Sequence, residues 1–231
     1  MKQLILVIFI SIFVICEAQT KSDIKPNMNT LEDFFRFENV EQLTSYFGNK
    51  NVFSETVYFA EPSSGGKPYL VSEVNFGTTQ SILVTWNSNG TEVCQVQVSS
   101  HFQDHETGKT RIIPNAWKTK QGLYAGMKLS QIGRINWFPF SFNTQLAKEV
   151  ENRGEILLYF GWIKKDIKVP FSSQKLVYRY TLDLKRVSDY FPQLSAFTLK
   201  SNNKLVKKWN PTLELITIYR EGLNPQSVSS K

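Results

Sequence analysis

Apolar residues recur at two different periods along this chain, and the places where the period changes outline its elements. Between positions 27 and 48 the spacing is helical. Leu31, Phe34, Phe35 and Phe37 form the apolar side of a first segment, with Thr30 and Asp33 at the two ends of a capping box. Val40, Leu43, Tyr46 and Phe47 share a face of a second helix, which Gly48 closes. The period then falls to two. Strands are expected over 54–61, 69–76, 80–86 and 91–99, joined by short runs of Pro, Gly, Ser and Asn, as in an antiparallel meander.

The stretch 117–142 organises the rest. Gly122 and Gly126 bracket a short extended piece, Leu123-Tyr124, and Gly126 suits a corner that needs positive φ. Met127, Leu129, Ile132 and Ile135 then recur at near-helical spacing. Asn136 and Pro139 end that helix, and Phe138, Phe140 and Phe142 alternate as a strand does. Farther on, 144–152 reads as a short helix or turn, 155–162 and 175–184 as strands, and 185–191 as a helical turn. A helix through Lys204, Leu205, Val206 and Trp209 is capped by Ser201, and 212–219 is a last strand. This predicts an α+β fold: antiparallel sheet with short helices packed on one face. A single domain is expected over 27–222, with halves at about 27–113 and 114–222, and a disordered tail over 223–231. The first half reads as two helices followed by four strands, and the second follows that order more loosely.

The N-terminus has a different character. Lys2 precedes an apolar run from Leu4 to Ile15 broken only by Ser11, and Cys16 and Ala18 place small residues at −3 and −1 of a cleavage site before Gln19. Residues 1–18 are therefore read as a signal peptide, and the mature chain as periplasmic or secreted. A transmembrane anchor needs roughly 20 apolar residues, more than this run offers. Lipid attachment at Cys16 is a further reading, but Ile15 stands where that signal takes a small residue. No later segment is long and apolar enough to span a membrane. With Cys16 removed, Cys94 is alone, and it is read as a small buried hydrophobe on the face of Val96 and Val98.

Charge narrows the partners. The net charge is +7, and the part after Gly161 holds all of the excess, with 13 Lys and Arg against five Asp and Glu. The outward-reaching cations cluster at Lys164, Lys165 and Lys168, and at Lys204, Lys207 and Lys208, which lie at i, i+3 and i+4 of one short helix. They are the candidate partner-binding residues, for an anionic envelope glycan, a lipid surface or another exported protein. Nucleic acid is not expected outside the cytoplasm. Trp86, Trp117, Trp137, Trp162 and Trp209 all fall at apolar pattern positions and are read mostly as core.

Candidate chemistry is sparse. The two histidines, His101 and His105, lie beside Asp104 and Glu106, and His101, Asp104 and His105 have the spacing of zinc ligands if that segment is helical. Gly108, Thr110 and Pro114 argue instead for an exposed polar loop without fixed geometry. No cofactor is expected.

Several blocks resemble a family of exported bacterial proteins. Leu43 to Val52 (LTSYFGNKNV), followed by Glu55-Thr56-Val57-Tyr58, is similar to that family's "EL..LFG..NV..ET.Y" opening. Ile82 to Trp86, and Trp117 through Gly122, Gly126 and Leu129, are similar to its "IxVxW" and "WrT..Gl.iGmsL.eLe.lNG.pF.f" blocks. Ser201-Asn202-Asn203-Lys204 and Trp209-Asn210-Pro211 are similar to its "f.Sdnp.m..lNP.V" close. Trp137 stands where the pattern has glycine after the Asn, and Trp162 is followed by Ile-Lys-Lys where the pattern has Asp and an aromatic. The resemblance implies export and brings no catalytic residue with it. At the level of fold, the order of elements also resembles the repeats of the beta-lactamase-inhibitor protein and of small outer-membrane assembly lipoproteins, which place two helices on a four-stranded antiparallel sheet. That implies two such repeats here and nothing about function.

The expectation is an exported, non-catalytic protein that binds a macromolecular or envelope partner. The alternatives are a metal-assisted hydrolase using the loop from His101 to Glu106, or a glycan-binding module, which needs exposed coplanar aromatics.

Overall fold

The structure is a computed structural model and describes residues 27–58, 67–103, 110–144, 153–157, 161–168, 174–191 and 198–223. The predicted signal peptide, the segment 144–152 beyond Thr144 and the tail beyond Leu223 lie outside the described residues.

A 3-10 helix, Leu31–Arg36, and α1, Val40–Phe47, come first. The capping box forms: the Asp33 carboxylate accepts from the Thr30 amide and hydroxyl, both at 2.9 Å. The meander is β1 (Val52–Tyr58), β2 (Pro68–Val74), β3 (Ile82–Trp86) and β4 (Val93–Ser99). A small hairpin follows, β5 (His101–Gln103) with β6 (Thr110–Ile112). Then come α2 (Leu129–Asn136), β7 (Ser141–Asn143), β8 (Arg153–Leu157), β9 (Asp166–Lys168) and β10 (Lys175–Asp183). The chain closes with α3 (Val187–Tyr190), β11 (Thr198–Lys200), α4 (Lys204–Trp209) and β12 (Leu213–Arg220).

All but the hairpin join one antiparallel sheet in the order β1-β2-β3-β4-β12-β10-β8-β7-β11, with β9 on β10. The last strand therefore lies between the two halves of the chain. Among the described residues the second half interleaves α3 and α4 with its strands and so does not repeat the helix-helix-strand order of the first.

One face carries the core. Val84, Trp86, Val96, Val98, Tyr178, Leu182, Ile216 and Ile218 pack with Leu31, Phe34 and Leu43 from the first helices, Leu129 and Ile132 from α2, and Val206 from α4. Leu129 and Ile132 are buried as the helical spacing predicts, and Ile135 is half-buried against the same cluster. Ile132→Ala should cost roughly 2–5 kcal/mol in urea unfolding, the range for deleting a buried aliphatic side chain. A loss of only about 0.5 kcal/mol, the surface range, would show that α2 does not anchor the core.

A buried carboxylate pins the N-terminus to this core. Glu32 accepts the Lys120 amide on both oxygens at 2.9 Å and the Tyr178 hydroxyl at 2.8 Å. Burial, and after it the neighbouring Glu32 charge, keep the Tyr178 phenol protonated far above its usual range.

Two local readings change. Leu123-Tyr124 is not a strand; the loop runs beside the start of β12 through Gly126 N to Leu213 O, Leu213 N to Met127 O and Leu129 N to Pro211 O. Gly126 has φ +97°, and a Cβ there would stand 2.6 Å from Pro114 Cα, so only glycine fits. Cys94 is buried, but a register shift sets Val93 opposite Trp86 and Gln95 opposite Thr85, which makes Cys94 the extra residue of a bulge. Burial raises its thiol to about 11, so it is not a nucleophile at neutral pH.

Candidate functional site

The second half of the organising stretch builds a groove. Along α2, Leu129 and Ile132 turn into the core, which leaves Ser130, Gly133, Arg134 and Trp137 on the other side at i, i+3, i+4 and i+7. These four line one side of an open groove of about 430 Å3. The facing side comes from α4 and the turn before it. Asn203, not Ser201, caps α4, accepting from the Leu205 amide at 2.8 Å. Ser201 instead exchanges bonds with Phe140: its amide donates to Phe140 O at 2.8 Å, and its hydroxyl accepts the Phe140 amide at 2.9 Å. Asn210 ends α4 in the left-handed region and accepts the Ser130 amide at 2.9 Å, which joins the two helix ends. Lys207, Asn202 and Asn210 thereby face the groove.

Trp137 and Phe138 line the groove and are exposed, and Trp162 is exposed on the neighbouring loop. Trp137 is 78% exposed, Phe138 57% and Trp162 71%. One buried side chain arranges all three. Asn136 is fully buried; its Nδ2 donates to Phe138 O at 2.8 Å, and its Oδ1 accepts the Ile163 amide at 3.1 Å. Its backbone carbonyl accepts the Trp162 amide at 3.3 Å. The loop at 161–163 is thus laced to the end of α2. Trp86 is buried, and Trp117 and Trp209 pack against the core, but Trp137 and Trp162 contradict the core assignment made from their pattern positions. Phe138 is not on the strand either, because Pro139 and the left-handed Trp137 hold 137–139 in a turn, and β7 begins only at Ser141.

Trp137 caps α2 at φ +63°, ψ −23°. That is the conformation glycine supplies freely, and a side chain there costs roughly 1 kcal/mol. A large aromatic held in that conformation and left in solvent is stabilised by no packing that explains it.

The chain matches no family model, no curated protein and no solved structure.

The predicted basic residues divide between two places. Lys207 lines the groove, and Lys204 and Lys208 are exposed beside it on α4. Lys164, Lys165 and Lys168 are exposed on the segment that follows Trp162, where Gln121 bonds the backbone of Lys164 in both directions. Sequence reasoning missed Arg134, Trp137, Phe138 and Trp162 as surface groups. The available signal was Trp137 itself, a bulky residue just after a helix-ending Asn, where a glycine is the natural stop.

The histidine segment gives a second cluster. His101 is on β5, not in an exposed loop; its side chain is 13% exposed. The bulge in the β10–β12 register makes Glu214 the extra residue of β12. Glu214 Oε1 lies 2.9 Å from His101 Nδ1, a hydrogen bond. Asp183 Oδ2 lies 3.5 Å from Nε2, an ion-pair distance without hydrogen-bond geometry. Asp183 and Glu214 together raise the imidazole to about 9, against the opposing effect of burial. Asp183 is held below the usual carboxylate range although burial opposes this, by His101 and by the Lys185 amide and charge. The two carboxylates sit on opposite ring nitrogens, so they cannot share a metal ion with His101. Among the described residues no group of three His, Cys, Asp or Glu is placed to hold one. Asp104 and His105, the other candidate ligands, lie outside the described residues.

Proposed function

We propose that this is an exported, non-catalytic binding protein that holds an anionic macromolecular partner of the cell envelope in the groove between α2 and α4. The observation that carries this reading is Trp137. It accepts an unfavourable backbone conformation, stays in solvent, and stands with exposed Phe138 in a groove whose charged lining groups, among the described residues, are Arg134 and Lys207. Strain that no packing compensates points to a role outside the fold. Exposed aromatics in one patch point to a contact surface, and the cations select the sign of the partner's charge. In the His101 cluster both ring nitrogens face carboxylates, which does not favour the metal-assisted hydrolase.

The test is co-sedimentation with a bacterial cell-envelope fraction. Wild type should pellet at low salt, and Trp137→Gly combined with Trp162→Ala should remain in the supernatant. Glycine relieves the backbone at position 137, so Trp137→Gly alone should melt at or above the wild-type temperature. Wild type that stays soluble, or a double variant that pellets equally, would sink the proposal.

A further inference from the structure

We infer that the groove takes an acidic glycan chain, its sugar rings stacked on the wall made by Trp137 and Phe138 and its anionic groups facing Arg134 and Lys207. This rests on the reading above and narrows the partner to one ligand class. Three features of the groove favour it.

Shape is the first. The groove is concave, and at about 430 Å3 it falls within the range of sites that enclose a ligand segment. A flat bilayer surface fills a concave groove less well than a chain lying along it. The second is the division of chemistry between its walls. Trp137, Phe138 and Pro139 lie on the α2 side with Arg134 among them, and Asn202, Asn210 and Lys207 line the facing side. A pyranose ring has apolar C–H faces and polar edges, so it can stack on the first wall while hydrogen-bonding to the second. An amphipathic helix would set an apolar stripe against this same groove, and that stripe would then bury amides and a cation. Charge is the third. Among the described residues Arg134 and Lys207 line the groove and no carboxylate does, while Lys204 and Lys208 extend the positive surface along α4. A uronate or sulfated chain meets complementary charge at each repeat, and a neutral chain does not. The floor is also open at Gly133, where an added Cβ would meet nothing within 4 Å.

Calorimetric titration of the full chain with polygalacturonate, alginate and heparin tests the inference, with dextran as the neutral glycan and phosphatidylglycerol-containing vesicles as the lipid arm. At least one acidic glycan should bind, more weakly by about tenfold or more when salt is raised from about 50 to about 500 mM, since exposed charges are then screened. Dextran should not bind. Trp137→Gly, Gly133→Gln, which plugs the floor, and the pair Arg134→Glu with Lys207→Glu should each lose about tenfold or more in affinity, the effect expected of central contact residues. None should melt below the wild type. Failure of all three acidic glycans overturns the inference, as does equal binding by dextran or undiminished binding by the folded variants. Vesicle binding that Trp137→Gly abolishes, without glycan binding, overturns the glycan and leaves the binding function standing. If neither glycans nor vesicles bind and the envelope fraction also fails to pellet the protein, both readings fall.

Discussion

Raising the pH from about 6.5 to about 9 is expected to remove about 3 kcal/mol of folding stability, through His101 alone. The imidazole titrates near its ordinary value of 6.5 in the unfolded chain and at about 9 in the fold, because Asp183 and Glu214 flank it. A raised pKa means that the folded state binds the proton more tightly. The stabilisation is therefore complete below about 6.5 and disappears as pH rises through about 9. Above that point, two carboxylates on β10 and β12 face each other across a neutral ring, with Lys185 near Asp183 to offset part of its charge. Urea unfolding at about pH 6 and about pH 9.5 reads the difference directly. His101→Gln should unfold more easily at the lower pH and show no such fall with pH. A wild-type stability that is flat across this window would mean that the carboxylates do not hold the proton on His101.

Gly161→Ala is expected to destabilise by about 4 kcal/mol, combining the cost of left-handed backbone with the loss of buried hydrogen bonds. Gly161 has φ +123°, and a Cβ there would lie 2.2 Å from Asn136 Oδ1 and 2.5 Å from its Cγ and Nδ2. Asn136 is fully buried and cannot yield without releasing the Ile163 amide and the Phe138 carbonyl. Asn136→Ala alone should cost about 3 kcal/mol, because it leaves those two groups without their partner. The two substitutions act on one contact, so the double variant should be about 1 kcal/mol or more better than the sum of the singles. Additive costs would show that the loop at 161–163 and the end of α2 are not coupled through Asn136. Both single variants should also disorder the Trp137–Phe138–Trp162 patch and weaken partner binding more than Trp162→Ala does.

Local information determined most of the fold. The two periods of the apolar pattern placed the first helices, the four strands of the meander, α2 and the last two long strands, because a strand or helix buried on one face writes its period directly into the sequence. Gly48 and Gly126 were legible for the same kind of reason: a turn that needs positive φ leaves few residues to choose from. Pattern alone did not reveal that β12 enters between β4 and β10. Strand order in a sheet depends on contacts between segments far apart in the chain, and the alternation within a strand is the same whichever neighbours it takes.

The candidate site was legible only in part. Lys204, Lys207 and Lys208 could be placed on one helix by their spacing, and they are there. Trp137 and Trp162 were read as core because an aromatic at an apolar position normally is. Their exposure follows from two tertiary facts that spacing does not carry: the left-handed stop at Trp137, and the buried Asn136 that draws the loop at 161–163 against it. His101 shows the same division. Its neighbours in sequence suggested a metal loop, whereas its partners in space are 82 and 113 positions away, at Asp183 and Glu214. The sequence by itself determined which segments have a face to bury. Tertiary structure decided which polar and aromatic groups those buried faces bring together, because hydrogen bonds and charge pairs across the sheet depend on strand order and register and leave no periodic trace in the chain.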